Sequence, residues 1–163
     1  MAQAGGKLSL KARAVGLLSR REHSRTELRR KLSPHCEEPA ELEALLDELE
    51  RNDWLSQERF AESLVHRRAA RYGMRRIVQE LRQHELPEDT LKEMAGKLRS
   101  NELDRAREVW KKRFGVAPSD AKEYAKQLRY MAARGFTADC VRRILSEADS
   151  QLPDASFVDD TFE

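Results

Sequence analysis

Ser24-Arg25-Thr26-Glu27-Leu28-Arg29-Arg30-Lys31-Leu32 and, 49 residues later, Gly73-Met74-Arg75-Arg76-Ile77-Val78-Gln79-Glu80-Leu81 follow one plan. Each opens on a residue suited to a helix N-cap and then places two apolar residues four apart on one face. In the first copy Ser24 reads as the cap, with Glu27 completing a capping box. The helices that follow keep the same offset. Leu42, Leu45, Leu46 and Leu49 form an i, i+3, i+4, i+7 stripe, and Leu91, Met94, Ala95 and Leu98 repeat it. Pro39 and Pro87 stand near the starts of these stripes, where proline is tolerated. Gly135-Phe136-Thr137 opens a third copy 64 residues after the second, with Thr137 as cap and Val141 and Leu145 as its apolar pair. The residue before each cap is His23, Tyr72 or Phe136, and four beyond the cap stands Leu28, Ile77 or Val141. That is the spacing of a hydrophobic staple. The longer interval leaves room for an inserted helix carrying Leu103, Ala106, Trp110 and Phe114, broken at Gly115–Pro118.

Helices are therefore expected near 7–21, 24–32, 39–51, 56–71, 73–84, 87–99, 102–114, 119–134 and 137–148. The fold class is all-α: tandem three-helix repeats stacked into an elongated, curved array, because a unit this small cannot bury a core alone. The expected divisions are repeat 1 over 7–55, repeat 2 over 56–100, the inserted helix with repeat 3 over 101–148, and an acidic, disordered tail over 149–163. Composition agrees. Of 163 residues, 39% are hydrophobic and 37% charged, with 6% aromatic, which excludes collagen-like and disulfide-scaffold chains. No apolar run is long enough to span a membrane, and Met1–Gly6 lacks the layout of a signal peptide. Cys36 and Cys140 suit reduced thiols, and the expected location is the cytoplasm.

The net charge of +2 conceals segregation. Glu147, Asp149, Asp154, Asp159, Asp160 and Glu163 face no Lys or Arg after residue 146, leaving 31 basic against 23 acidic groups before it. Glu37–Glu58 holds nine acidic residues and one basic, Arg51. Such segregation suggests a nucleic-acid or nucleoprotein partner, while solvated helix faces are the competing explanation. The basic clusters are Arg20/Arg21 with Arg25, Arg29, Arg30 and Lys31; Arg67, Arg68, Arg71, Arg75 and Arg76; Lys111–Arg113; and Arg134, Arg142 and Arg143. The repeat pairs Arg29 with Arg142 and Arg30 with Arg143, as a row of forked donors suited to carboxylates or phosphates. Local pairing with Glu accounts for Glu27 and Lys31, but no acid lies within 67–76. The partner- or DNA-binding candidates are Arg25, Arg29, Arg30, Arg67, Arg68, Arg71, Arg75, Arg76, Arg142 and Arg143.

Enzyme chemistry finds no constellation. His23, His35, His66 and His84 are scattered, His35 and Cys36 are neighbours pointing apart, and there is neither a phosphate loop nor a nucleophile elbow. No catalytic residue, metal or cofactor is expected. Trp54, Phe60, Tyr72, Trp110, Phe114, Tyr124, Tyr130 and Phe136 fall mostly on apolar stripes and read as core, with Trp54 and Trp110 the leading candidates for exposed stacking.

The stretch Trp54-Leu-Ser-Gln-Glu-Arg59-Phe60-Ala61-Glu-Ser-Leu64-Val65-His-Arg67-Arg68, followed by Tyr72-Gly73-Met-Arg75-Arg76-Ile77-Val-Gln-Glu80-Leu81, resembles the signature segment of the RecX regulatory proteins. Ser24 to Leu32, and Arg134-Gly135-Phe136 with Val141 and Leu145, are similar to that family's first and third repeats, so the resemblance spans roughly residues 10–147. Two departures stand out: Ser56-Gln57 where acidic residues are frequent, and Glu85 where a helix-ending Gly is frequent. The repeat leads us to expect a monomer, and the resemblance implies a bacterial cytoplasmic modulator of the RecA recombinase, acting in DNA repair, homologous recombination and the SOS response. Its partners would be RecA and the RecA–single-stranded DNA filament. It would lie in the filament groove and limit filament growth, strand exchange, ATP hydrolysis and coprotease activity. Two other readings stay open: a direct DNA-binding module, since short hinges with Arg on the second helix resemble helix-turn-helix motifs, and a helical adaptor with no nucleic-acid role.

Overall fold

A computed structural model of the chain describes residues 8–150. Among these residues there are nine α-helices, one 3₁₀ turn at Ser33–His35 and no strand. The helices are α1 (Leu10–Leu18), α2 (Arg25–Leu32), α3 (Pro39–Arg51), α4 (Gln57–Ala69), α5 (Met74–Arg82), α6 (Glu88–Ser100), α7 (Glu102–Arg113), α8 (Ala121–Ala133) and α9 (Ala138–Asp149). Every helix expected from periodicity is present. The expected acidic tail lies outside the described residues from 151 onward.

The start signals act as capping chemistry requires, with two differences. Ser24 Oγ accepts the Glu27 N–H at 3.1 Å, but the Glu27 carboxylate is held by the Arg21 guanidinium rather than returning to the cap or pairing with Lys31. Thr137 occupies the N-cap of α9 without capping through its side chain. Ser56 accepts the Arg59 N–H at 3.2 Å, so a hydroxyl does at α4 what an acidic residue would do. Glu85 adopts φ +54°, the left-handed conformation that favours glycine, and its turn is tied to α2 through Thr26 Oγ1, which contacts His84 O and Glu85 Oε2.

The chain divides into two units. The first runs up to Arg68 and includes Ile77–Gly96; the second takes Ala69–Arg76 and the described residues from Lys97 onward. The first buries Ala14, Leu28, Leu32 and the whole α3 stripe of Leu42, Leu45, Leu46 and Leu49 together with Leu55. The second buries Ala106, Val109, Trp110, Met131, Phe136, Val141, Ile144 and Leu145. In the α6 stripe Leu91, Met94 and Leu98 are buried and Ala95 is half-buried.

In the second unit two glycines meet. A Cβ on Gly73 would stand 2.3 Å from backbone atoms of Gly135 and Phe136, and Gly135 itself has φ +89°. The close approach lets Gly73 N–H donate to Arg134 O (2.8 Å) and Arg75 N–H to Gly135 O (3.2 Å). The N–H between them, Met74, donates to the buried carboxylate of Glu102 at 3.1 Å, whose other oxygen accepts Thr137 Oγ1–H at 3.3 Å. One carboxylate thus sits at the positive ends of α5 and α9.

Candidate partner-binding surface

The ten arginines singled out above have different surroundings. Arg25 is committed to α3: its guanidinium pairs with Glu43 (2.8 Å), Asp47 (2.7 Å) and Glu50 (2.7 Å), leaving 20% of the side chain exposed. Arg29 shares Glu43 and approaches Glu85. The bonds from Arg29 and then Arg25 hold the Glu43 carboxyl down to about 2. Burial works against the Arg25 charge, but Glu43, Asp47 and Glu50 outweigh it and raise its pKa. Much of the basic row on α2 is therefore neutralised by the acidic block on α3. Arg30 is exposed and takes part in no ion pair among the described residues.

Arg68 reaches the Glu80 carboxylate at 2.9 Å, so the lack of an acid within 67–76 does not leave that residue unpaired. Arg142 and Arg143 pair on their own helix with Asp139 and Glu147. Arg67, Arg71, Arg75 and Arg76 are exposed and, among the described residues, have no ion pair.

Three basic clusters that are far apart in sequence converge in the second unit, around aromatic rings. The Arg76 guanidinium lies 4.1 Å from the Tyr72 ring centre. Arg134 lies 5.7 Å from the same ring and 4.8 Å from that of Tyr130. Arg113 continues the series at 5.4 Å from Tyr130 and 5.5 Å from Phe114, whose ring meets Tyr130 edge-on. The result is an alternating ladder of cation and ring, built from the end of α7, the end of α8, the hinge before α5 and the first turn of that helix. Arg134 also reaches back to Arg71 O. Neither Arg113 nor Arg134 forms an ion pair among the described residues, and Glu123, which lines the cleft beside Arg113, is taken up by Lys126.

The ladder departs from the expectation that these aromatics are core. Phe60, Trp110 and Phe136 are buried, Trp110 with its Nε1–H on Gln127 Oε1 at 2.7 Å, but Tyr72, Phe114 and Tyr130 are half-buried and roofed by arginine. Trp54, at 49% exposure, is accessible, whereas Trp110 is not. Arg113 and Arg134 were not singled out as binding candidates. The available signal was spacing: Tyr72/Arg76 and Tyr130/Arg134 are both i, i+4 pairs. Arg105 is a different case. Half-buried, it donates to Tyr72 O (2.7 Å), Ala69 O and Leu98 O, holding the hinge, and burial lowers its pKa.

Among the described residues no group of three or more His, Cys, Asp or Glu side chains could hold a metal ion, and no helix is long and apolar enough to cross a membrane. Burial pushes the Cys140 thiol up to about 11, away from the reactive thiolate form.

Fold and surface together define a class: an all-α protein of tandem three-helix units presenting organised arginine. Models of the RecX domains match in chain order, the first three-helix domain over residues 11–49, the second over 56–94 and the third over 100–145. The Regulatory protein RecX of Ralstonia pickettii (strain 12J) is 59% identical over 152 residues, covering 93% of this chain and 96% of that protein. That of Neisseria meningitidis serogroup C is 41% identical over 140 residues, 86% of this chain and 91% of the other. A crystal structure of RecX from Lactobacillus salivarius aligns with a TM-score of 0.73 at 17% identity, over 86% of this chain and 95% of that one. The chain belongs to the RecX family.

Proposed function

We infer that this protein is a non-enzymatic, monomeric, cytoplasmic negative regulator of the RecA recombinase. It binds RecA and the groove of the RecA–single-stranded DNA filament, limiting filament growth, strand exchange, ATP hydrolysis and coprotease activity. The observation that carries the reading is the match of all three repeats, in order, to RecX domains. The repeats are taken as 7–55, 56–100 and 101–148. Exposed Arg67, Arg71, Arg75 and Arg76, without ion pairs among the described residues, support contact with an anionic nucleoprotein. Arg30, Arg142 and Arg143 are further contacts, whereas Arg25, Arg29 and Arg68 contribute mainly through their acid partners. No cofactor takes part.

Co-sedimentation with RecA filaments tests this directly. Retention on RecA–single-stranded DNA filaments at physiological salt is expected, with binding to free RecA as well. Failure to bind RecA in either form, with folding intact, would overturn it. The Arg–aromatic ladder specifically favours a second reading, direct contact with DNA, which predicts binding to bare strands with a steep salt dependence.

A further inference from the structure

We propose that the ladder Arg76–Tyr72–Arg134–Tyr130–Arg113–Phe114 is a binding track for the sugar-phosphate backbone of a single nucleic-acid strand, read without regard to base sequence. The proposal deepens the functional reading by assigning the strand of the nucleoprotein partner to this surface. Its test runs without the recombinase, so the two can fail separately.

Three observations carry it. First, each guanidinium is oriented by a ring face. A cation seated on a π face presents its N–H edges outward, so donors that bind phosphate are held ready, apart from the Arg134 Nη1–H that reaches Arg71 O at 3.5 Å. Second, the charge is uncompensated. Arg25, Arg29, Arg59 and Arg107 are each tied to two or more carboxylates, yet Arg76, Arg113 and Arg134, with flanking Arg71 and Arg75, have no ion pair among the described residues. Two carboxylates of the same unit are occupied elsewhere: Glu102 caps two helices from a buried position, and Glu123, which lines a cleft with Arg113, pairs with Lys126.

Third, the cations are strung at short intervals. Successive guanidiniums share a ring, with legs of 4.1 and 5.7 Å across Tyr72 and of 4.8 and 5.4 Å across Tyr130. Neighbouring cations therefore lie within one or two nucleotides of each other along a strand. A repeating polyanion matches such a row better than a protein carboxylate cluster, whose charges have no fixed interval. A single strand suits the row better than a duplex, because its flexible backbone can adjust successive phosphates to the cations whereas a duplex holds them on a fixed helix. The ladder carries no amide or carboxylate for the edges of adenine or cytosine, and because its guanidiniums could also pair with guanine edges, the comparison of a guanine-free with a mixed-sequence strand decides whether phosphate alone is read.

Fluorescence anisotropy of the full-length protein with labelled oligo(dT), an equally long mixed-sequence strand and a duplex, across about 50–200 mM salt, tests the proposal. The expected result is similar affinity for the two single strands, weaker binding to the duplex, and log K falling linearly with log salt. Arg113→Ala, Arg134→Ala and Arg76→Ala should each weaken strand binding about three- to tenfold and reduce the salt slope by about 0.7 for each phosphate no longer neutralised. Arg51→Ala, at an exposed arginine of the first unit that is not part of the ladder, should change neither. Arg113 is exposed and at a helix end, so its variant keeps the test valid if Arg134→Ala disturbs packing. No binding by the parent protein at the lowest salt, or unchanged binding by folded Arg113→Ala, would overturn the proposal, and tighter binding to duplex would overturn the single-strand assignment. A protein that binds strands but not the recombinase would refute the regulatory reading alone. One that binds the recombinase but not strands would refute this inference alone.

Discussion

Gly73 and Gly135 are the glycines of the second unit with the least room for a side chain. Their backbones touch, and any Cβ at either position would fall inside van der Waals distance of main-chain atoms that cannot swing away. Gly135→Ala would also force an L residue into φ +89°. The expected cost is about 2–3 kcal/mol, read as a lowered midpoint in urea with helicity retained below it. Glu102 is the matching polar case. Glu102→Ala removes the acceptor of the part-buried Met74 N–H and of Thr137 Oγ1–H, and should cost on the order of 2 kcal/mol, whereas Glu102→Gln keeps one carbonyl acceptor and should cost less. Equal stability of Glu102→Ala and the parent protein would contradict this role. Sequence spacing made Gly73 and Gly135 visible as helix boundaries, but not their mutual approach, because segments 62 residues apart that meet in space leave no local periodicity. Glu102 was invisible for the same reason: its partners lie 28 and 35 residues away.

At the scale of elements, apolar spacing made the helices legible, and their polar commitments were not. The stripe of α3 could be read directly, since burial of Leu42, Leu45, Leu46 and Leu49 is what the spacing encodes. That α3 also absorbs the charge of Arg25 and Arg29 requires knowing that it packs beside α2. This pairing has a pH signature. Glu43 titrates at about 2 when folded, so its contribution to stability is full above the usual carboxylate value of 4.5 and is lost as pH falls toward 2. Glu43→Gln should flatten the acid limb of the stability curve in that window. Two histidines act at higher pH. Burial lowers the pKa of both His23 and His84, and His84 Nδ1 lies 2.8 Å from Ser24 Oγ, the cap of α2. Unfolding returns each to about 6.5 and takes up protons, so stability should be full above that pH and decline below it. Thermal melts between pH 8 and pH 5 should show this decline, and His84→Asn should reduce it. A melting temperature that rises on acidification through this range would refute the assignment.

Across the whole molecule, charge is distributed by pairing. The α2 arginines are largely spent on α3, whereas Arg67, Arg71 and Arg75 and the cations of the ladder form no ion pair among the described residues. The sequence clusters identified the arginines, but their neighbours decide which remain available. Arg75→Glu with Arg76→Glu should leave the melting temperature within a few degrees of the parent, since exposed helix charges contribute little to stability. It should weaken inhibition of the recombinase by tenfold or more, about 1.4 kcal/mol per tenfold, as attraction becomes repulsion. Reversal of exposed Glu41 on α3 is the control and should have little effect. The most direct test of the regulatory role is the rate of RecA-catalysed, single-stranded-DNA-dependent ATP hydrolysis as this protein is titrated from far below one copy per recombinase. The account predicts a falling rate while the regulator is still substoichiometric, and a rate unchanged up to equimolar protein would contradict it.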